Sequence, residues 1–244
     1  MHIEQFLIVL LCTLVQNVFG VGILVFGTPI LLSMGYGYLE VLGILCPSSL
    51  GVSLVQIFMI RSTKFPKPSE VFQSISGVVI GTILLSMFAV PIFIYVITAI
   101  MMFFAGILRL SGDFQRAVVK ALEFKAPYFY FLNAVFHGFS NLGGVLLVFK
   151  NSISTINKNQ KLTTTAFIYA LYVIFQIIVL SFSGNAELFL AGALIFPFSI
   201  LLSIFLSGRP LALLSPKKMD AALGVFFISV GGVLIYKILS FAEI

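Results

Sequence analysis

The chain has 244 residues, of which 60% are hydrophobic and 9% charged, with a mean hydropathy of +1.17. A soluble domain carries about 25% charged residues, so the composition excludes one and points to a polytopic membrane protein. The net charge of +6 arises from basic residues lying between apolar runs, where orientation in a membrane accounts for them without any nucleic-acid surface.

The apolar runs recur at lengths near ~20 residues, which a helix needs to cross the hydrocarbon; barrel strands would be ~10 residues with alternating polarity. The expected fold class is therefore all-α. Cys12 and Cys46 both fall inside apolar runs and read as small buried thiols. The first five residues lack the basic segment of a signal peptide and lead straight into the first run.

That first run, residues 6–34, is too long for one straight span and is interrupted at Gly20, Gly22 and Gly27-Thr28-Pro29. Thr28 followed by Pro29 has the form of an N-cap and first helical position, so a short second helix is expected to start there. Runs follow at 39–60, 71–89 and 91–110. Residues 111–126 change character, setting Asp113, Arg116, Lys120, Glu123 and Lys125 against Phe114, Val118 and Leu122 at helical spacing. They read as an amphipathic connector in the membrane interface.

The second half repeats the pattern, with a broken segment at 127–151 and runs at 162–182, 188–206 and 219–241. The expected organisation is a first transmembrane repeat (1–110), the connector (111–126) and a second repeat (127–244). The 14 Lys and Arg residues test how the broken segments sit. If all eight segments crossed, the basic residues would split 8 to 6 between the two faces; if the His137 segment instead enters and leaves on one side, the split becomes 13 to 1. The positive-inside rule favours the second arrangement, and with the re-entry of the first segment inferred from the repeat alone, the halves are expected to be inverted repeats of one re-entrant segment and three spans each.

The segment from Asn133 to Asn151 carries His137, Ser140 and Asn141 and is broken at Gly143 and Gly144. Polar groups and glycines at membrane depth are costly unless they serve something. An echo lies ~123 residues earlier, with Asn17 opposite Ser140 and Gly20 opposite Gly143. Paired broken helices mark transport sites: free N–H groups and the positive dipole end face the break and favour an anion. Gly20, Gly22, Gly143 and Gly144 would let a ligand meet the backbone, or permit close helix packing. Asn17, Ser140 and Asn141 would donate neutral hydrogen bonds to it, or join helices to one another. His137 is either a proton-coupling group or donor to substrate, or a neutral imidazole bonded to a neighbouring helix. Ser48 and Ser49, after Pro47, either line the cavity or satisfy backbone freed by the proline.

With these features in order, the chain resembles the sulfite exporter TauE/SafE family of membrane permeases. The resemblance rests on the glycine-broken first segment ending in Pro29, the Pro47-Ser48-Ser49 step, the matching second half, and above all Gly138-Phe-Ser-Asn141-Leu-Gly143-Gly144, followed by Lys161 and Thr163 to Thr165. It implies export or uptake of small sulfur-containing or organic anions such as sulfite or sulfonates. The expected protein is a secondary transporter of the cell (inner or plasma) membrane and not an enzyme; a passive anion channel or a membrane-embedded assembly subunit is the alternative. Its implied partners are a small anionic substrate, the lipid bilayer and a coupling proton, and a homodimer is compatible with it. No ATP-binding loop, metal cluster or cofactor motif is present in the sequence.

Overall fold

In a computed structural model, described here over residues 2–60, 65–88, 91–124, 128–153, 157–206 and 216–242, the chain is all-helical. The first apolar run folds as two helices, α1 (Ile3–Phe19) and α2 (Ile23–Met34), joined at a sharp corner. Gly20 takes a left-handed conformation there (φ 80°), and its N–H closes α1 on the Gln16 carbonyl. The chain then turns back on itself. Tyr36, just past α2, donates its hydroxyl to the Glu4 carboxylate near the start of α1, so the two ends of this hairpin lie together.

α2 begins at Ile23, six residues before Pro29, the first helical position that the Thr28-Pro29 pair offers. The reason is a cap supplied from another helix: the Ile23 N–H is bonded by Gln16 Oε1, 3.1 Å away, and Thr28 and Pro29 fall inside the helix. The long helices α3 (Tyr38–Ile60), α4 (Pro68–Phe88) and α5 (Pro91–Leu110) follow, then the amphipathic α6 (Gly112–Phe124). α6 lies against α5 through Phe114 and Phe104, while Arg116 and Asp113 pair on its exposed side.

The second broken segment is again a hairpin, α7 (Phe129–Ser140) and α8 (Gly143–Ile153). Its corner residue is Asn141, at φ 63°, the one non-glycine residue with positive φ among those described. The Lys150 ammonium stands 4.1 Å above both the Phe129 and Tyr130 rings and brings its two ends together. α9 (Lys158–Leu180) and α10 (Phe189–Leu206) are separated by a short irregular turn in which Gly184 has φ 83°, and α11 (Pro216–Ala242) completes the chain. Five stretches are long and apolar enough to cross a membrane: Tyr38–Ile60, Pro68–Met87, Ile92–Leu110, Asn159–Leu206 and Ala221–Ser240. The fourth, 48 residues long, contains both α9 and α10.

Glycines set the closest helix crossings. A Cβ on Gly81 would stand 2.1 Å from the Val135 carbonyl oxygen, and one on Gly138 would stand 2.6 Å from that of Val78, so α4 and α7 touch backbone to backbone. α3 and α10 meet in the same way, with Gly43 against Leu188 O and Gly192 against Gly43 O. Such crossings gain dispersion contacts and cost little side-chain entropy, which suits helices packed in lipid.

The pairs of touching residues also fix relative direction. Gly43 meets Leu188 and Gly51 meets Phe196, so α3 and α10 are parallel; Met102 faces Gly231 while Leu110 faces Gly224, so α5 and α11 are antiparallel. Glu4 is beside Tyr36 while Gln16 is beside Ser49 and Ser53, so α1 runs with α3. Of the basic residues that entered the 13 to 1 count, Arg61, Lys64, Lys125 and Arg209 lie outside the described residues, as do the side chains of Lys158, Lys217 and Lys218.

Candidate functional site

The two hairpin corners are built alike. Gly22 folds back on α1, where a Cβ would stand 2.8 Å from Cys12 O and 2.4 Å from Gln16 N; Gly143 folds back on α7, 2.8 Å from Asn133 O and 2.6 Å from His137 Cβ. In both, the corner residue's N–H bonds the carbonyl four residues earlier, Gly20 to Gln16 and Asn141 to His137. The spacing is 121 residues for Gly22 and Gly143, for Gly20 and Asn141, and for Gln16 and His137.

This corrects the register of ~123 that set Gly20 opposite Gly143 and Asn17 opposite Ser140. Matching glycine to glycine misled, because asparagine is the residue other than glycine that best tolerates the left-handed corner. At the first corner Gln16 holds the place that His137 holds at the second.

Gln16 and His137 have opposite surroundings. Both are fully buried. Gln16 Nε2 donates to Ser49 O at 3.2 Å and to Ser53 Oγ at 3.1 Å, its Oε1 accepts from the Ile23 N–H, and its own carbonyl accepts from Gln56 Nε2 at 2.7 Å. The first corner is thereby locked to α3. The His137 imidazole instead lies between two aromatic rings of α9, its centroid 4.6 Å from that of Tyr172 and 5.1 Å from that of Tyr169. Neither of its nitrogens makes a hydrogen bond of good geometry, although the Gln176 side chain stands within reach of the ring.

Around it stand further unpartnered polar atoms, each on a buried side chain: the Tyr169 hydroxyl, Asn133 Oδ1 and Gln176 Oε1. The remaining polar atoms of the cluster are committed. Asn133 Nδ2 donates to the Tyr172 hydroxyl at 3.0 Å, Gln176 Nε2 to Asn141 Oδ1 at 2.9 Å, and Asn141 Nδ2 to Thr28 Oγ1 at 3.2 Å. The last two bonds form a relay from α9 through the second corner to α2. An unsatisfied buried polar atom costs about 1–3 kcal/mol, and five in one place are more than helix packing needs.

The residues singled out in the sequence divide accordingly. His137, Asn141, Gly143 and Gly144 come together in this cluster. Ser140 does not contribute a free donor, because its Oγ bonds Phe136 O and caps the Leu142 N–H. Asn17 is turned to α10, donating to Thr13 O and accepting from Ser203. Ser49 belongs to the Gln16 lock, at 3.5 Å from Gln16 Oε1, whereas the Ser48 hydroxyl is buried and unpartnered.

The glycines are filled positions and not openings. A Cβ on Gly20 would meet Thr165 and Leu162, and one on Gly144 would meet the Tyr169 ring at 2.8 Å and Val25 Cγ2 at 2.9 Å. What Gly144 permits is the contact of α8 with α2, which sets the first turns of both helices side by side. Tyr169, Tyr172, Gln176 and Asn133 were not anticipated. Glutamine within an apolar run was the available signal, since Gln16, Gln56 and Gln176 are all buried within apolar helices.

Comparison of the chain with family models, with curated proteins and with solved structures finds no match.

Proposed function

We propose that the chain is a secondary transporter for small sulfur-containing or organic anions, sulfite and sulfonates among them, working by alternating access of two inverted repeats in the cell membrane. The observation that carries this reading is the meeting of two broken helices inside the bundle: the N-terminal turns of α2 and α8 touch through Val25 and Gly144 and are bridged by Thr28 and Asn141. Each N-terminus presents about half a positive charge, a focus for an anion with no buried Lys or Arg to hold it too tightly.

The pattern of helix contacts supports the repeats. Exchanging α1 to α5 with α7 to α11 turns the α4–α7 contact into α10–α1, α3–α10 into α9–α4 and α2–α3 into α8–α9; α3–α9, α5–α11 and α2–α8 join counterparts to each other. With successive spans alternating, the parallel α3 and α10 give each span of the second half the direction opposite to its counterpart. Lys237, the one basic residue left on the minor side of the 13 to 1 split, lies beside Gly35 at the open end of the first hairpin. In this reading α6 rests in the interface, and the resemblance to the TauE/SafE family supplies the substrate class.

Single cysteines at Lys64 and Lys158 are expected to react with an impermeant thiol reagent from the same side of the membrane, and one at Tyr36 from the opposite side. Labelling of Lys64 and Lys158 from opposite sides would restore eight crossing segments. For function, purified protein in liposomes should show saturable sulfite or methanesulfonate flux. Tyr169→Phe, which removes one neutral donor from a charged ligand, should weaken apparent affinity by about 1.5–3 kcal/mol, ten- to a hundredfold. Non-saturating flux would identify a channel, and no flux of any anion an assembly subunit.

A further inference from the structure

The proposed anion site has a charge capacity that can be read from its parts. No Lys, Arg, Asp or Glu is buried among the described residues, and the polar side chains around His137 are amides and phenols. The electrostatic support for an anion is therefore the pair of helix N-termini at Val25 and Gly144, about half a charge each, opposed at the same corners by the C-termini of α1 and α7. At most one negative charge is matched by this. A second is not, and the cost of burying charge rises with its square while neutral donors stay the same in number.

The unpartnered atoms agree with such a ligand. The Tyr169 hydroxyl donates to an anionic oxygen, while Asn133 Oδ1 and Gln176 Oε1 accept from an O–H that the ligand itself carries. The titratable groups that the packed helices bring near the cluster include Tyr169 and Tyr172 of α9, Tyr130 of α7, Tyr38 and Cys46 of α3, Cys12 of α1, Glu70 of α4 and Lys150 of α8; the last two are at the open end of the second hairpin, where Lys150 caps Phe129 and Tyr130. An imidazolium at His137 would stand between the negative end of α7, in whose last turn it lies, and the positive end of α8, with no buried carboxylate to balance it.

We infer that the cluster between the second hairpin and α9 takes oxyacids as singly charged or neutral species and excludes their dianions, so that the coupled proton travels on the substrate and not on His137. This inference rests on the anion-transporter reading.

Two probes of similar shape separate the cases. Methanesulfonate is a monoanion at every working pH, whereas methylphosphonate passes from a monoanion bearing one O–H to a dianion near neutrality. Calorimetric titration of the wild-type protein with each, over a pH series spanning that ionisation, should give a constant affinity for methanesulfonate. For methylphosphonate the apparent affinity should fall about tenfold per pH unit above the ionisation. If both affinities fall together, a protein group titrates and the inference is overturned; if methylphosphonate affinity is flat or rises, the dianion is accepted and it is overturned again. Both of these leave the anion reading standing. Binding of neither probe would remove the anion reading and the inference together.

Discussion

Gly144→Val is expected to abolish anion binding and flux. The Cβ alone would stand 2.8 Å from the Tyr169 ring and 2.9 Å from Val25, and both branches of valine would need space now held by these two buried side chains. Relief requires either tilting the Tyr169 hydroxyl out of the cluster or parting the first turns of α2 and α8, and each disperses the elements that face the ligand. Overpacking of this kind costs about 1–3 kcal/mol, which a polytopic protein tolerates in detergent. The variant should thus elute as a folded species while calorimetry shows no heat of binding. Unchanged affinity would show that substrate does not meet this part of the chain.

The second large effect is a contrast between two equivalent positions. Gln16→Leu removes the bonds to Ser49 O, Ser53 Oγ and the Ile23 N–H and leaves the start of α2 without its cap. At about 0.6 kcal/mol per interhelical bond in a membrane protein, the loss is roughly 2 kcal/mol. His137→Leu, at the matching corner, loses only the loose contact with Gln176 and should cost under about 1 kcal/mol, because the leucine replaces an imidazole whose nitrogens make no hydrogen bond of good geometry. Ligand binding should respond in reverse, weakened by His137→Leu much more than by Gln16→Leu. Unfolding of both variants in mixed detergent, beside binding titrations, measures the contrast; equal destabilisation would mean that both corners are structural locks.

The helical layout was readable in the sequence because hydrophobic run length is a strong signal. The run at 91–110 coincides with α5, and that at 39–60 differs from α3 by one residue. The amphipathic connector is likewise present as α6. The start of α2 was not readable from local rules, since its cap is a side chain seven residues back that reaches the Ile23 N–H only after the hairpin has closed. The Thr-Pro pair carries a correct local preference that this contact overrides.

The candidate site was half legible. His137 and Asn141 stand out as polar residues at membrane depth, but Asn17 looks equivalent in one dimension and is spent on Ser203 in three. Tyr169 and Tyr172 could not be chosen from the sequence, because a tyrosine in an apolar run packs like any aromatic. Only the fold shows that one of their hydroxyls is bonded to Asn133 and the other to nothing. The glycines were legible as breaks, though their use is steric closure of each corner and not an opening.

The glycine crossings decide which helices can slide. Where Gly81 and Gly138 bring α4 and α7 into backbone contact, few side chains lie between them to change rotamer, so the pair is suited to act as one stiff plate; Gly43 and Gly192 suit α3 and α10 to act as a second. The first plate carries His137, while the second supplies the serines to which Gln16 ties the first hairpin. Against the first plate α9 and α2 make contacts of another kind, the rings of Tyr169 and Tyr172 on His137 and a short chain of side chains from Gln176 to Thr28. A sliding motion in this protein would therefore meet the least friction at the surface that runs past His137.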